Sequence, residues 1–344
     1  MIAGVSLLFF PGAFCIGPVA AAPAGSDVKR EPPSRTGKVE KPAANNENER
    51  VPAAKTATPQ RVLEFPEKIP FGALYKETGS YSQPKRTFLC RARGRVPVPA
   101  GVRLGLVASY DLLNNFDLFK KLPPDAFYSV DLNRVDSVND KPFDISALAG
   151  QRELRFIDNS ETDMTDESVS AFKSLEHLQR LRLWYCGITG STLDAVANIK
   201  TLEWLDLGLN QLSPAAWKAI GRMSHLKTLA VTRTGADDSA LAEISKLQEL
   251  DNLSICENKK ISAKGLALLK NCKKLRTIDA SRCNLSANDF VGLAGMKLDS
   301  LTISGRYMTK ADLAKIHNAL PRTIIGNKDV DDQNTNYLFS PLRF

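Results

Sequence analysis

The groups in this 344-residue chain best suited to bind metals or act as nucleophiles are six cysteines and three histidines. Their spacing supports neither chemistry. Beyond the first 24 residues the cysteines are Cys90, Cys186, Cys256, Cys272 and Cys283, and an odd set leaves at least one thiol unpaired. No C-x-x-C pair and no tight cysteine–histidine cluster occurs, so a zinc site is not expected. His177 and His225 hold the same slot of a repeated unit, and His317 lies in the last helical run. No G-x-S-x-G elbow, phosphate-cradling glycine loop or dinucleotide fingerprint is present. Asp131, Asp206 and Asp279 project from one row but stand several strands apart, too far to work as an acid–base pair. The sequence therefore predicts a chain that is not an enzyme and uses no cofactor and no metal. The chemistry left is recognition. Arg180, Arg182, Trp184 and Tyr185 fall within six residues, with Trp204 and Asp206 one unit later, and Trp, Tyr and Arg are the side chains that dominate interface energetics.

The elements that position these residues follow from a periodic pattern. Leu178, Leu181, Leu183 and Cys186 fit L-x-x-L-x-L-x-x-C, and Leu202, Leu205, Leu207 and Asn210 repeat it with Asn 24 residues later. The middle apolar position recurs at Val130, Leu154, Leu181, Leu205, Leu229, Leu253, Ile278, Leu301 and Ile324. In phase with it, Thr165, Thr189, Ser213, Asp237, Ser262, Ser286 and Thr309 each precede a helical run and carry an oxygen able to cap the first turn. Apolar stripes follow at helical spacing, such as Trp217, Ile220, Met223 and Leu241, Ile244, Leu247. Each unit is thus predicted to be one short strand and one short helix. No unit buries its apolar face alone, so stacking must supply the core, and the inner sheet becomes an extended binding surface.

The phase fixes which side chains face outward from the inner sheet. In unit order the central row reads Asp131, Arg155, Arg182, Asp206, Ala230, Ser254, Asp279 and Thr302. With strands ~4.8 Å apart, Arg182 is expected beside Asp206, Asp131 beside Arg155, and Arg180 beside Trp204 at cation–π range. Trp217 is expected in the core. The candidate partner-binding patch is Arg155, Arg180, Arg182, Trp184, Tyr185, Trp204 and Asp206. The alternative is a ladder of side chains that satisfies itself and has no partner. Cys186 and Cys283 occupy the turning position of their units, about 20 Å apart and far beyond disulfide range; Cys272 is expected in the core and Cys256 on the concave face.

The wording of the units resembles that of exported bacterial leucine-rich-repeat proteins, whose repeats run L-x-x-L-x-L-x-x-T-x-I-T-D-x-G-L-x-x-L. Leu226, Leu229, Val231, Thr234, Ala236 and Asp237 follow it, as do Leu250, Leu253, Ile255, Asn258, Ile261, Ser262 and Leu266. The resemblance covers residues 127–325 and departs at Ser160 to Met164 and at Lys259-Lys260, where extra residues should bulge. It implies an α/β solenoid, a right-handed horseshoe with a parallel concave sheet and convex helices, that binds other macromolecules. It implies no shared reaction and no cofactor.

The rest of the chain reads differently. Residues 1–24 contain no charged side chain and end in small residues, as a signal peptide does, although no Lys or Arg precedes the apolar run. Residues 25–61 are rich in Pro, Ala, Lys, Glu and Asn and are too poor in large apolar groups to offset chain entropy, which predicts a disordered linker. Within residues 62–126, Thr87 to Ala108 alternate around Pro99-Ala-Gly101 and suggest two or three short strands joined by a turn, a β-rich N-terminal cap, with a helical run from Leu112 stopped by Pro123-Pro124. Ile324-Ile325 supply a last strand, and residues 326–344 a polar tail. The net charge of +8 is spread without a block of five like charges, so nucleic acid is not an expected partner. The reading is an exported, non-enzymatic module that binds a protein, or alternatively an envelope polysaccharide or glycopeptide, with no stable membrane span in the mature chain.

Overall fold

The computed structural model describes residues 60–79, 84–133, 145–304 and 308–327. The expected signal peptide, nearly all of the expected linker and most of the expected tail lie outside these residues. The described residues belong to one compact unit, Thr56–Phe344. It begins with β1 (Gln60–Phe65), β2 (Gly72–Gly79), β3 (Pro84–Arg91), β4 (Gly94–Pro99) and β5 (Arg103–Ala108). β1 pairs antiparallel with β4, while β2 lies antiparallel between β3 and β5. β3, β4 and β5 are the strands expected from the alternation of Thr87 to Ala108; β1 and β2 precede that stretch, and β1 starts at Gln60, inside the stretch read as linker. The alternation in β4 decides its facing: Val96 and Val98 are buried while Arg95, Pro97 and Pro99 are exposed. The run after Ser109 is a 3-10 helix, Tyr110–Lys121, that buries Leu112 and Phe119.

The repeated part then supplies β6 (Ser129–Asp131), β7 (Phe156–Asp158), α1 (Asp166–Val169), β8 (Arg180–Arg182), α2 (Asp194–Ala197), β9 (Trp204–Asp206), α3 (Pro214–Ile220), β10 (Thr228–Ala230), α4 (Asp238–Ile244), β11 (Asn252–Ser254), α5 (Ala263–Leu268), β12 (Thr277–Asp279), α6 (Ala287–Val291), β13 (Ser300–Ile303), α7 (Lys310–Ala319) and β14 (Ile324–Asn327). β5 through β14 pair in parallel in chain order, and with β2 and β3 they make one sheet of twelve strands. The apolar residues at all three positions of the units around β8, β9 and β10 are buried, Val231 taking the third place in the last of these, and they are joined by the helix stripes of Phe172, Ile220, Leu241 and Phe290. Removing each such side chain from water stabilises the fold by about 1.5–3 kcal/mol. This alternation of strand and helix on a continuous parallel sheet is the leucine-rich-repeat solenoid.

Two devices recur in phase. At the turning position, Asn210 donates to the carbonyls of Leu183 (2.6 Å) and Leu207 (2.9 Å) and accepts from the Cys186 amide (3.0 Å). Asn258 does the same one unit pair later for Val231, Ile255 and Thr234. The residue before this position is left-handed in six successive units, Glu161, Tyr185, Leu209, Arg233, Glu257 and Arg282. The second device is the helix cap. Thr165, Ser213, Asp237, Ser262, Ser286 and Thr309 are N-caps as their spacing predicted. Thr189 is not: its amide and hydroxyl donate to the Asp166 carboxylate of the preceding unit, and α2 starts only at Asp194.

The phase of the second unit differs from the sequence reading. Val130 pairs with Ile157, and Ile157 with Leu181. Leu154 is therefore the first apolar residue of its unit, not the middle one. The unit reads Leu154, Ile157, Asn159, Thr162, and a buried polar Asn159 in the third leucine slot hides the register. The extra residues consequently lie between β6 and β7, not at Ser160 to Met164. At the other end Leu301 pairs with Ile325, so Ile325 rather than Ile324 is the middle residue of the last strand.

Candidate functional site

β8 and β9 each present two side chains on the exposed face of the sheet, because residues flanking the buried Leu181 and Leu205 must point the other way. Their register sets Arg180 against Trp204 and Arg182 against Asp206. The Arg180 guanidinium carbon stands 3.9 Å from the centre of the Trp204 ring, a close cation–π stack. Arg182 Nε donates to Asp206 Oδ2 at 3.1 Å, and its Nη1 to Asp158 Oδ2 at 3.4 Å. The other carboxylate oxygens are tied to their own strands. Asp206 Oδ1 accepts from the Gly208 amide at 2.9 Å and Asp158 Oδ1 from the Ser160 amide at 3.1 Å. Each aspartate is thus divided between its own turn and one arginine, and Arg182 clamps two strands at once.

Trp184 and Tyr185 stand beyond this clamp. Their rings are 5.8 Å apart and tilted by 55°, and the Arg182 guanidinium lies 5.7 Å from the Trp184 ring centre. Trp184 needs Gly208 beside it: a Cβ there would meet the indole Cδ1 at 2.7 Å. Tyr185 takes the left-handed conformation with φ 54° and donates its amide to the Gly208 carbonyl at 2.9 Å. The site therefore has two tiers. Arg182, Trp204 and Asp206 are 8%, 4% and 4% exposed; Arg180 and Trp184 are half-buried; Tyr185 is 61% exposed. Trp204, though covered, lies outside the leucine core, under Arg180 on the sheet's outer face.

The electrostatics follow from this burial. Burial works against the charge on Arg182, but Asp206 and Asp158 outweigh it and hold its pKa above the usual value. Burial pulls Arg180 down to about 10, with Asp158 and Asp206 opposing and Arg182 assisting. Asp206 is pushed up by burial despite Arg182. Asp131, pushed up to about 6 by burial and by Asp158, is held in part by Arg86.

Of the seven predicted residues, Arg180, Arg182, Trp184, Tyr185, Trp204 and Asp206 come together. Arg155 does not. The re-phased second unit puts Asp158 in its place, and Arg155 turns to Glu153 (3.2 Å) and the Arg152 carbonyl at the margin of the sheet. Asp131 is accordingly not beside Arg155. It sits beside Asp158 across β6–β7 and accepts from Arg86 Nη1 at 3.1 Å. Arg86 also donates to Glu77 at 2.6 Å, and Glu77 is further bound by the Ser129 hydroxyl. Since β2 and β5 separate β3 from β6 in the sheet, the Arg86 side chain spans both strands to reach Asp131. Sequence reasoning missed Asp158, Arg86 and Glu77. A signal for Asp158 was present: Asp-x-Ser/Gly/Asn recurs at Asp131, Asp158, Asp206 and Asp279, each followed two residues later by the amide its carboxylate accepts.

Elsewhere the exposed face is plainer. β10 to β13 present Thr228, Thr232, Ser254, Thr277, Ser281 and Thr302, with small hydroxyls bonded to one another, as between Thr232 and Ser254 at 3.2 Å. Cys256 lies in this row and accepts from Ser281, while Cys272 is in the core. Burial lifts the thiols of Cys186 and Cys272 to about 11 and that of Cys283 to about 12, which leaves little thiolate near neutral pH. The five cysteines of the described residues are all unbridged. Among the described residues no cluster of His, Cys, Asp and Glu is placed to hold a metal ion, and no helix is long and apolar enough to cross a membrane.

No protein-family model matches the sequence, and no curated protein matches it. Solved structures of similar fold include an internalin from Listeria monocytogenes, with 20% identity and a TM-score of 0.45 over 62% of this chain and 58% of that one. Internalin C2 of the same organism has 19% identity and a TM-score of 0.41 over 52% of this chain and 72% of that one. A leucine-rich-repeat protein of Leptospira interrogans has 18% identity and a TM-score of 0.42 over 58% of this chain and 46% of that one. This chain thus spans less than two thirds of the first and third of them.

Proposed function

We propose that this chain is a non-enzymatic interaction module, exported from a bacterial cell, that holds a protein partner on the concave face at β8 and β9. The observation that carries the reading is the two-tier arrangement there. Arg182, with Asp158 and Asp206, is a saturated clamp and Trp204 a covered base; above them Arg180 and Trp184 are half-buried and Tyr185 is open to solvent on a rigid support. Side chains already held in place lose little freedom on binding, so their contact area converts more fully into affinity. The solenoid fold itself is one that presents extended binding surfaces. Export rests on the uncharged leader of residues 1–24 and the Pro-rich stretch after it.

Trp184→Ala with Tyr185→Ala tests the patch. The double variant removes the two rings and leaves the ion pairs of Arg182 with Asp158 and Asp206 in place. Its capture of a partner protein from an envelope extract should fall at least tenfold, with its urea midpoint unchanged. A control pair on the plain half, Asn252→Ala with Thr277→Ala, should capture normally. Equal capture by both pairs would remove β8 and β9 as the binding face. If capture depends on the patch but the captured material is polysaccharide or glycopeptide, the partner class is wrong and the face right.

A further inference from the structure

β3 ends the twelve-stranded sheet, and among the described residues it pairs only with β2. Among the described residues no strand covers its other edge, whose row of backbone donors and acceptors suits a further strand. Most edge strands are blunted by charge and proline, and β3 does start with Pro84 and Lys85. Its middle is different: Phe88 is 56% and Leu89 41% exposed, apolar surface set on an open edge. Lys85 and Arg91, exposed at its two ends, have no carboxylate partner among the described residues.

The charge selects the occupant. A second β3 related by a two-fold axis at Phe88 would bring Lys85 opposite Arg91 of the other copy, and like charges directly opposite each other are destabilising. An acidic extended segment has the right sign. Just past β14, at the opposite end of the sheet, the chain carries Asp329-Val330-Asp331-Asp332, with Tyr337-Leu338-Phe339 to follow. Asp332 lies five residues beyond Asn327 and reaches at most about 18 Å from it. The same molecule's β3 is eleven strand spacings away, about 53 Å along the sheet. The acidic group of one molecule cannot serve its own edge. We infer that the outer edge of β3 is a docking strand for the segment beginning at Asp329 of a second copy, so that copies join head to tail. Such a contact is heterologous and does not close after two copies.

Sedimentation of the full chain at rising concentration tests this. The mass should climb past that of a dimer at low salt and fall back as salt screens the Asp–Lys/Arg attraction. Asp331→Lys with Asp332→Lys should leave only monomer. Phe88→Lys with Leu89→Lys, shown to be folded by its circular dichroism, should do the same. Mixing these two variants pairs the intact edge of the first with the intact acidic segment of the second, and should give a one-to-one dimer that grows no further. A natural chain that stays monomeric throughout would overturn the inference. So would self-association that survives the aspartate changes, which would mean that a different surface, such as β3 against β3, makes the contact.

Discussion

Trp184 keeps its place because position 208 has no side chain. The indole packs where a Cβ would stand, at 2.7 Å from its Cδ1. Gly208→Val should push the ring off the sheet, cost about 1–3 kcal/mol as overpacking, and shift the Trp184 indole N–H resonance toward that of a solvent-exposed indole. An unshifted resonance would mean that the ring does not depend on this gap. Asp131 gives a second test at this scale. Its pKa rises from 3.8 to about 6 in the folded chain, chiefly through burial and Asp158. The folded state therefore holds this proton more tightly than the unfolded one. Its contribution to stability is full below about pH 4 and is lost as pH rises through about 6. Asp131→Asn keeps an acceptor for the Asn133 amide and removes the charge. Urea titrations should show the variant gaining on the natural chain between about pH 4 and pH 7, whereas a constant or falling difference would contradict the assignment.

At the scale of the element, the repeat is held by what its strands and turns do with backbone polar groups. A three-residue strand cannot satisfy the turn that follows it, so Asn210 and Asn258 supply the missing partners. Asn210→Ala would strand the carbonyls of Leu183 and Leu207 and the amide of Cys186. The loss should be about 3 kcal/mol in urea unfolding, much more than for Asn252→Ala on the exposed row. The same regularity explains what was legible beforehand. Leucines at fixed spacing gave the strands from β8 to β12, their facing, and the Arg180–Trp204 and Arg182–Asp206 neighbours. Six of seven caps were readable because an oxygen before a helix has one common use. Legibility failed where a polar residue took an apolar slot. Asn159 in the third position of its unit let Leu154 pass for the middle residue, and Arg155 was drawn into the patch with it. Thr189 failed because no helix starts directly after it: Ser262 makes the same bonds to Asp238 and still caps α5, whereas α2 begins only at Asp194. Of the strands before β6, β1 and β2 went unread, and β2 buries a charged residue, Glu77, against the distant Ser129 and Arg86.

Across the whole molecule the concave face is uneven. Toward its start the sheet carries a chain of buried carboxylates and arginines, Glu77, Arg86, Asp131, Asp158, Arg182 and Asp206, with aromatic rings around it. From β10 onward it carries mostly small hydroxyls, with Asp279 among them. The ion pairs occupy one another, so what they contribute is a fixed platform rather than free charge; breaking one partner would leave the other buried and uncompensated. The open aromatic groups sit at the boundary between the two halves, where the proposed partner would engage them. Hydrogen exchange of the chain with and without its captured partner measures this directly. Slowed exchange confined to the amides from Arg180 to Tyr185 and from Trp204 to Leu209 is the predicted result. Slowing along α3 to α6, or along β11 to β13, with β8 and β9 unchanged, would contradict it.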